Sequence, residues 1–156
     1  MRMNGGCQCG AIRFACEPEP SSAHICHCRM CQKAVGNLFA ALVRVKSASL
    51  VWKKAEPKWF ASSNMARRGF CPECGTPLGY RAPDGLFLTI GVFDDPGSLP
   101  PCNQYGVEAR HAFVAGLGAL PESRTDEDVG DQPYLADVVS FQHPDRPEVD
   151  GEKPPV

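Results

Sequence analysis

The stretch Cys26-His27-Cys28-Arg29-Met30-Cys31 carries three thiols within six residues. Thiols this close together can bind one soft metal ion, because little chain entropy remains to be lost when they converge. The ion that thiolates most often hold in proteins is zinc, which takes four ligands in a tetrahedron. Three cysteines leave one position free. The stretch therefore predicts a metal centre with a vacancy at which a thiol or a water molecule can bind.

Two further cysteine pairs flank this stretch and together supply a complete set of four ligands. They are Cys7-Gln8-Cys9 near the start of the chain and Cys71-Pro72-Glu73-Cys74 some sixty residues later. A short pair rarely divides between two sites, because its sulfurs are held a few ångströms apart. We therefore predict one saturated structural zinc, bound by the two pairs, and one open zinc, bound by the three middle cysteines.

Two alternatives to this division stay open at the level of sequence. One is a swap in which Cys26 and Cys28 join Cys71 and Cys74. The other is closure of the open position by a fourth protein ligand, for which the candidates are His24, His27 and Cys102. His27 lies between two predicted ligands, so we expect its side chain to point away from the metal.

Composition limits the classes of partner. The chain has 156 residues, of which 43% are hydrophobic and 22% charged, as in an ordinary soluble globular domain. A net charge of -2 offers no basic field to nucleic acid or to anionic lipid. No apolar run approaches the roughly 20 residues that span a bilayer. We therefore expect a small-molecule partner, with neither nucleic acid nor membrane involved, and predict no oligomeric state.

The cysteine count and the first residues indicate a reducing compartment. Seven of the nine cysteines have C-x-C or C-x-x-C spacings, which suit metal chelation better than disulfide stapling. The first residues lack the apolar centre of a secretory signal. We expect a cytoplasmic protein, because thiols stay reduced there.

Periodicity predicts a mainly β chain. Strands are expected near residues 11–16, 23–26, 39–45, 50–53, 59–61, 79–81, 86–90 and 104–107. A short helix is expected over residues 29–35, ending at Gly36. Residues 62–68 are expected to form a polar connection in which Arg67 and Arg68 are solvated. Residues 1–141 are predicted to form one zinc-binding domain, followed by a flexible polar tail over residues 142–156.

Three segments in order resemble the glutathione-dependent formaldehyde-activating enzyme and centromere protein V family. They are residues 5–10, with Gly-Gly-Cys-Gln-Cys-Gly, residues 26–36 and residues 70–78. The resemblance covers roughly residues 4–95 and weakens afterwards. It implies a complex antiparallel β-sandwich with zinc knuckles and one or two short helices. It also implies a structural zinc at Cys7, Cys9, Cys71 and Cys74 and a catalytic zinc at Cys26, Cys28 and Cys31.

The same resemblance implies a carbon–sulfur lyase that joins formaldehyde to glutathione. The charge of the open centre agrees with this chemistry, because three thiolates on Zn²⁺ leave a net charge of −1 and favour a nucleophilic thiolate over hydrolysis. A non-enzymatic, zinc-ribbon-like module that binds another protein is the main alternative. A redox or metal sensor is a third, in which oxidation of the middle cysteines would release zinc.

Residues of the substrate pocket can only be nominated from sequence. Arg29, Lys33 and Arg44 are cations near the middle cysteines in sequence that could meet a carboxylate of a glutathione-like ligand, although solvated surface charge is the commoner role. The remaining polar and aromatic candidates are assigned structural roles. We expect Phe39 and Trp59 to pack in the core, Cys16 and Cys102 to be plain buried thiols, and His111 to be no catalytic base.

Overall fold

Ten short strands and one α-helix make up the regular structure of the described chain. The structure is a computed structural model that describes residues 1–125, 127 and 132–146. The strands are β1 (Met3–Gly6), β2 (Arg13–Cys16), β3 (His24–Cys26), β4 (Ala40–Val45), β5 (Val51–Trp52), β6 (Lys58–Ala61), β7 (Arg67–Phe70), β8 (Pro77–Ala82), β9 (Gly85–Thr89) and β10 (Asn103–Tyr105). The helix α1 is Arg29–Val35, and short 3-10 helices include Ile90–Val92, Val107–Ala109 and Ala112–Ala119.

The strands form two sheets. A three-stranded sheet has the order β1-β2-β5, and a seven-stranded sheet has the order β10-β3-β4-β9-β8-β7-β6. Neighbouring strands are antiparallel except β10 and β3, which run parallel. The predicted fold class, a mainly β antiparallel sandwich with a short helix, is confirmed.

The main core lies between the sheets. Phe14 of the small sheet packs edge-on against Phe93 and Trp52, with ring centroids 5.3 and 5.8 Å away. The same cluster includes Val43 and Leu88 from the large sheet, both fully buried. Burial of apolar surface between the two layers is the main source of their stability.

The opposite face of the large sheet carries a second, smaller apolar cluster. Along β4, Val43 and Val45 point into the main core, whereas Ala40 and Leu42 point to the other face, as the two-residue period of a strand requires. Cys31 of α1 packs on Ala40 and Leu42 there. This face therefore holds the helix that carries the middle cysteines.

Two elements differ from the sequence prediction. Residues 62–68 are not all connection, because β7 begins at Arg67 and is paired on both sides, by β6 and β8. β1 is absent from the strands predicted from sequence, yet Met3–Gly6 pairs with β2 along its whole length. A Cβ atom on Gly5 would collide with the Val92 carbonyl oxygen, so the strand needs glycine where the two backbones approach closely. Strand propensities, which disfavour glycine, do not predict such a strand.

The end of the described chain lies against its beginning. The backbone N–H of His143 donates to the Gln8 carbonyl at 2.7 Å, and Arg13 Nη2 donates to the Arg146 carbonyl at 3.0 Å. Residues 147–156 of the predicted tail lie outside the described residues, as do Asp126 and Asp128. Within the described part, no helix combines the length and apolar character that crossing a bilayer requires.

Candidate metal centres

Seven of the nine cysteines gather in two groups. One group contains four thiols and the other contains three, and within each the sulfurs all lie within 4.8 Å of one another. The members are Cys7, Cys9, Cys71 and Cys74 in the first group and Cys26, Cys28 and Cys31 in the second. All nine cysteines are free of disulfide bonds. The grouping matches the division that spacing predicts and excludes the swapped arrangement in this structure.

The four-thiol group has the dimensions of a tetrahedral zinc site. Zn–S bonds of about 2.3 Å put the sulfurs of such a site roughly 3.8 Å apart. The Sγ atoms of Cys7 and Cys9 are 3.5 Å apart, and those of Cys9 and Cys71 are 3.9 Å apart. The backbone N–H of Ile12 donates to Cys7 Sγ at 3.2 Å, which stabilises a thiolate there. The donor set therefore fits a closed metal site.

This group joins the two sheets. Cys7 and Cys9 follow β1 of the small sheet, whereas Cys71 and Cys74 lie between β7 and β8 of the large one.

Burial raises the pKa of Cys7 to about 12. Burial also opposes ionisation of Cys74, but hydrogen bonds from Thr76 and nearby backbone outweigh it and lower the pKa of Cys74 to about 6.

The three-thiol group sits where β3 passes into α1. Cys26 ends the strand, and Cys28 caps the helix by accepting the backbone N–H of Cys31 at 3.4 Å. Cys31 lies in the first turn and is buried. The unpaired N–H groups of a first helical turn favour thiolate charge. A knuckle leading into a helix therefore supplies both the convergence and part of the electrostatic stabilisation.

Arg68 contacts this group from strand β7 of the same sheet, with β4, β9 and β8 between β7 and β3. Its Nη2 donates to Cys31 Sγ at 3.4 Å. The hydrogen bond from Cys26 and the Arg68 guanidinium, acting against burial, lower the pKa of Cys31 to about 5. The hydrogen bond to Cys31, with burial, raises the pKa of Cys26. The contacts with Cys26 and Arg68 thus favour the thiolate form of Cys31.

Within the described residues, no fourth side chain completes this group. His27 is buried and its Nε2 is bonded to Gln104 Oε1 at 2.8 Å. His24 Nδ1 donates to the Ser22 carbonyl at 2.8 Å. Cys102 Sγ donates to two backbone carbonyls at 3.2 Å. Each of the three closure candidates thus has a hydrogen-bond partner away from the group, although the buried His27 Nδ1 has no partner, and none of the three joins the group.

A cavity of about 520 Å³ opens beside the three thiols. Its lining includes the cysteines and, from the large sheet, two arginines and several aromatic rings. These lining residues are Cys26, Cys28, Cys31, Arg44, Arg68, Tyr80, Phe87, His24 and Tyr105. A volume of this order accommodates a small organic molecule.

The nominated cations have different locations. Arg44 lines the cavity, whereas Arg29 donates to Gln32 Oε1 at 3.0 Å, and neither it nor Lys33 lines the cavity. Arg68, assigned to a solvated connection from sequence, is the cation that touches the cysteines. Its pairing on β7 between β6 and β8 brings it there, and the sequence Arg67-Arg68-Gly69-Phe70 carries no periodic signal that would have placed it.

The other nominated side chains have structural contacts. Trp59 packs against the main core, and the Phe39 ring lies 5.8 Å from that of His27. His111 stacks on Phe113 outside the cavity. Cys16 is fully buried as expected, but Cys102 is exposed, because the loop before β10 runs along the edge of the sheet.

Two protein comparisons accompany this geometry. The chain is 32% identical over 92 residues to an uncharacterised lyase of Schizosaccharomyces pombe, a match that covers 57% of the chain. The chain spans 66% of that protein's length. A crystal structure of a protein from Rhodobacter sphaeroides superposes with a TM-score of 0.52 at 20% identity, covering 65% of the chain and 99% of the other, which bears on the fold alone.

The family comparison covers both cysteine groups. The model of the glutathione-dependent formaldehyde-activating enzyme family matches residues 2–109, which contain every strand of the two sheets and all seven clustered cysteines. The chain belongs to the glutathione-dependent formaldehyde-activating enzyme family.

Proposed function

We propose that this protein is a zinc-dependent lyase-type enzyme that acts on the carbon–sulfur bond between a glutathione-like thiol and an aldehyde. The observation that carries the proposal is the three-thiol group beside the 520 Å³ cavity, with no fourth ligand from the described residues. Family membership supports the reaction class, and the similar fission-yeast protein is described as a lyase.

The two groups take different parts in this proposal. Cys7, Cys9, Cys71 and Cys74 would hold a structural zinc, since four thiolates leave no position for a reactant. Cys26, Cys28 and Cys31 would hold a zinc with one position for the substrate sulfur. Zinc bound there supplies charge that keeps the substrate thiol deprotonated near neutral pH. Nine reduced cysteines suit the cytoplasm, which we propose as the location.

Charge decides which chemistry this centre favours. Three thiolates would give a Zn²⁺ ion bound there a net charge of −1, and a substrate thiolate would add a further negative charge. Such a centre would be a weak Lewis acid, and the substrate thiolate bound to it would remain a displaceable nucleophile. The Arg68 guanidinium beside Cys31 offsets part of this charge. Sulfur transfer to carbon is therefore favoured over attack by water.

The reaction balances without a further reactant. The thiolate sulfur adds to the carbonyl carbon of the aldehyde, so a C–S bond forms, the C=O π bond breaks, and the oxygen takes the proton that the thiol released. In the lyase direction the same C–S bond breaks and the carbonyl is restored. The chain's role is to hold the sulfur in place and to balance its charge while the carbon approaches.

Metal stoichiometry and rate test the proposal together. We expect the zinc-loaded protein to hold two zinc ions per chain and to accelerate exchange between glutathione, formaldehyde and S-hydroxymethylglutathione, followed by NMR. We expect Cys28→Ser to hold one firmly bound zinc and to lose the acceleration. Cys102→Ser is the matched control, because Cys102 belongs to neither group, and it should keep both properties.

Full activity of Cys28→Ser on every thiol adduct tried would refute the enzymatic role. A protein that keeps its binding partners in pull-down after losing the open-site zinc, and that accelerates no adduct exchange, would instead be the zinc-ribbon-like binding module.

A further inference from the structure

Four side chains form one row across the face of the large sheet that bears the three thiols. Arg44 of β4 is the cross-strand partner of Phe87 on β9, and Phe87 is the partner of Tyr80 on β8. Tyr80 is in turn the partner of Arg68 on β7. Directly paired residues point to the same face of a sheet. The cavity floor is therefore two aromatic rings with an arginine at each end.

Both arginines lie over the rings. The Arg44 Cζ atom is 5.2 Å from the centroid of the Phe87 ring, and the Arg68 Cζ atom is 5.0 Å from the centroid of the Tyr80 ring. The two rings are 5.9 Å apart. Stacking of this kind fixes a flexible guanidinium in one orientation and leaves its edge N–H groups available for planar acceptors.

These guanidinium groups are incompletely satisfied. The Nε atoms of Arg44 and Arg68 are buried and have no hydrogen-bond partner. The ion pairs found among the described residues include neither arginine, although Asp84 also lines the cavity. A buried donor without a partner is costly, because it has given up its hydrogen bonds to water. Arg68 already donates a hydrogen bond to Cys31 Sγ. Among the described residues, the Arg44 guanidinium has neither a hydrogen-bond acceptor nor an ion-pair partner.

We propose that Arg44 is the binding residue for a carboxylate of the substrate thiol, with Phe87 as its support, and that it selects acidic thiols over neutral ones. The inference rests on the proposed function, because it assumes that the sulfur of the same ligand lies at the three cysteines. A carboxylate matches the planar fork of a guanidinium and satisfies the buried Nε. Arg68 is the positioning residue at the sulfur end of the row.

Amide derivatives of glutathione test the proposal on the unaltered protein. Glutathione has two carboxylates, and each can be converted separately to an uncharged primary amide of nearly the same shape. Calorimetry with the zinc-loaded protein gives the dissociation constant of each form. We expect one of the two monoamides to bind about tenfold to a hundredfold more weakly than glutathione, as for loss of a charged hydrogen bond.

A variant then assigns that penalty to Arg44. In Arg44→Met the same monoamide and glutathione should bind alike, because the group that distinguishes them is gone. Arg81→Met is the matched control: Arg81 also stacks on an aromatic ring, Trp59, at 4.7 Å, but does not line the cavity. It should keep the full penalty.

Four binding results would contradict the carboxylate site, the proposed function or both. Equal binding of all forms by the unaltered protein, or a penalty that persists in Arg44→Met, overturns the carboxylate site. Binding that depends on Arg44 but is unchanged in Cys28→Ser leaves the carboxylate site standing and refutes the proposed function. Failure of glutathione and both monoamides to bind refutes both.

Discussion

The side chain of Arg68 connects the large sheet to the three-thiol group. It reaches from β7 across the Tyr80 ring and ends 3.4 Å from Cys31 Sγ. A lysine could not replace it in both contacts, because a single ammonium group lacks the planar surface that stacks on the ring. The Arg68 guanidinium therefore compensates the negative charge of the Cys31 thiolate, and its stacking on Tyr80 fixes the direction from which it does so.

We predict that Arg68→Met weakens zinc binding by the three-thiol group about tenfold near neutral pH, the cost of one charged hydrogen bond partly open to solvent. Removing the guanidinium raises the pKa of Cys31 from about 5, so protons compete longer with the metal as pH falls. The loss should be larger at about pH 6 than at about pH 9, where the thiol ionises in either protein. Chelator competition at both pH values measures it.

The neighbouring Arg67 supplies the control for this prediction. It is exposed on the same strand and does not line the cavity, so Arg67→Met should leave zinc affinity unchanged at either pH. Equal losses in the two variants would mean that general charge, rather than the contact with Cys31, governs the affinity.

Among the elements, the segment after β10 controls the geometry of the α1 N-terminus. Tyr105 pairs with Cys26, and the backbone N–H of His27 donates to the Tyr105 carbonyl at 2.8 Å. Gly106 follows with φ 63°, and a Cβ atom there would lie 2.8 Å from the backbone nitrogen of Cys28. The backbone of this segment therefore rests directly on the three-thiol group.

We predict that Gly106→Ala both destabilises the protein and weakens metal binding by the three thiols. Gly36, which ends α1, has the same φ of 63° but open space around its Cβ position. Gly36→Ala should lower the free energy of unfolding by about 1–2 kcal/mol, the cost of a left-handed alanine, and Gly106→Ala should lower it further, because its Cβ also meets the Cys28 backbone. Only Gly106→Ala should also release zinc from the open centre at lower chelator concentration. Equal zinc retention by the two variants would contradict the contact.

Elements with local signals could be predicted from the sequence, and those made by pairing could not. The helix occupies Arg29–Val35 and ends at Gly36 as expected, because capping and a left-handed glycine are properties of neighbouring residues. β7 and β1 escaped prediction, since Arg-Arg-Gly-Phe and Met-Asn-Gly-Gly have little strand propensity of their own. The strands β6 and β8 hold β7 extended, whereas β1 is held by β2 and by an isolated bridge between Gly5 and Phe93.

In the whole molecule, the two cysteine groups connect different parts of the fold. The four-thiol group links the small sheet to the large one, whereas the three-thiol group lies within one local segment. Spacing alone predicted this division. The cavity escaped prediction, because the row from Arg44 to Arg68 exists only through the register of four strands, and register is a property of the assembled sheet.

We predict that Cys7→Ser and Cys28→Ser differ sharply in thermal unfolding. A structural zinc contributes folding free energy on the order of 10 kcal/mol, so loss of one ligand of the four should cost several kcal/mol and lower Tm strongly. Cys28→Ser should unfold close to the unaltered protein, because β3 and α1 keep their other contacts. Differential scanning calorimetry of the zinc-loaded proteins makes the comparison. A larger drop in Tm for Cys28→Ser would reverse the assignment of structural and open sites.

The separation of Cys9 from Cys71, 62 residues apart, also orders events during synthesis on the ribosome. At about 5–20 residues per second, the later pair emerges roughly 3 to 12 s after the earlier one. The contiguous trio, by contrast, is complete as soon as its six residues have left the exit tunnel. A nascent chain can therefore bind metal at the three-thiol group before the four-thiol group is complete.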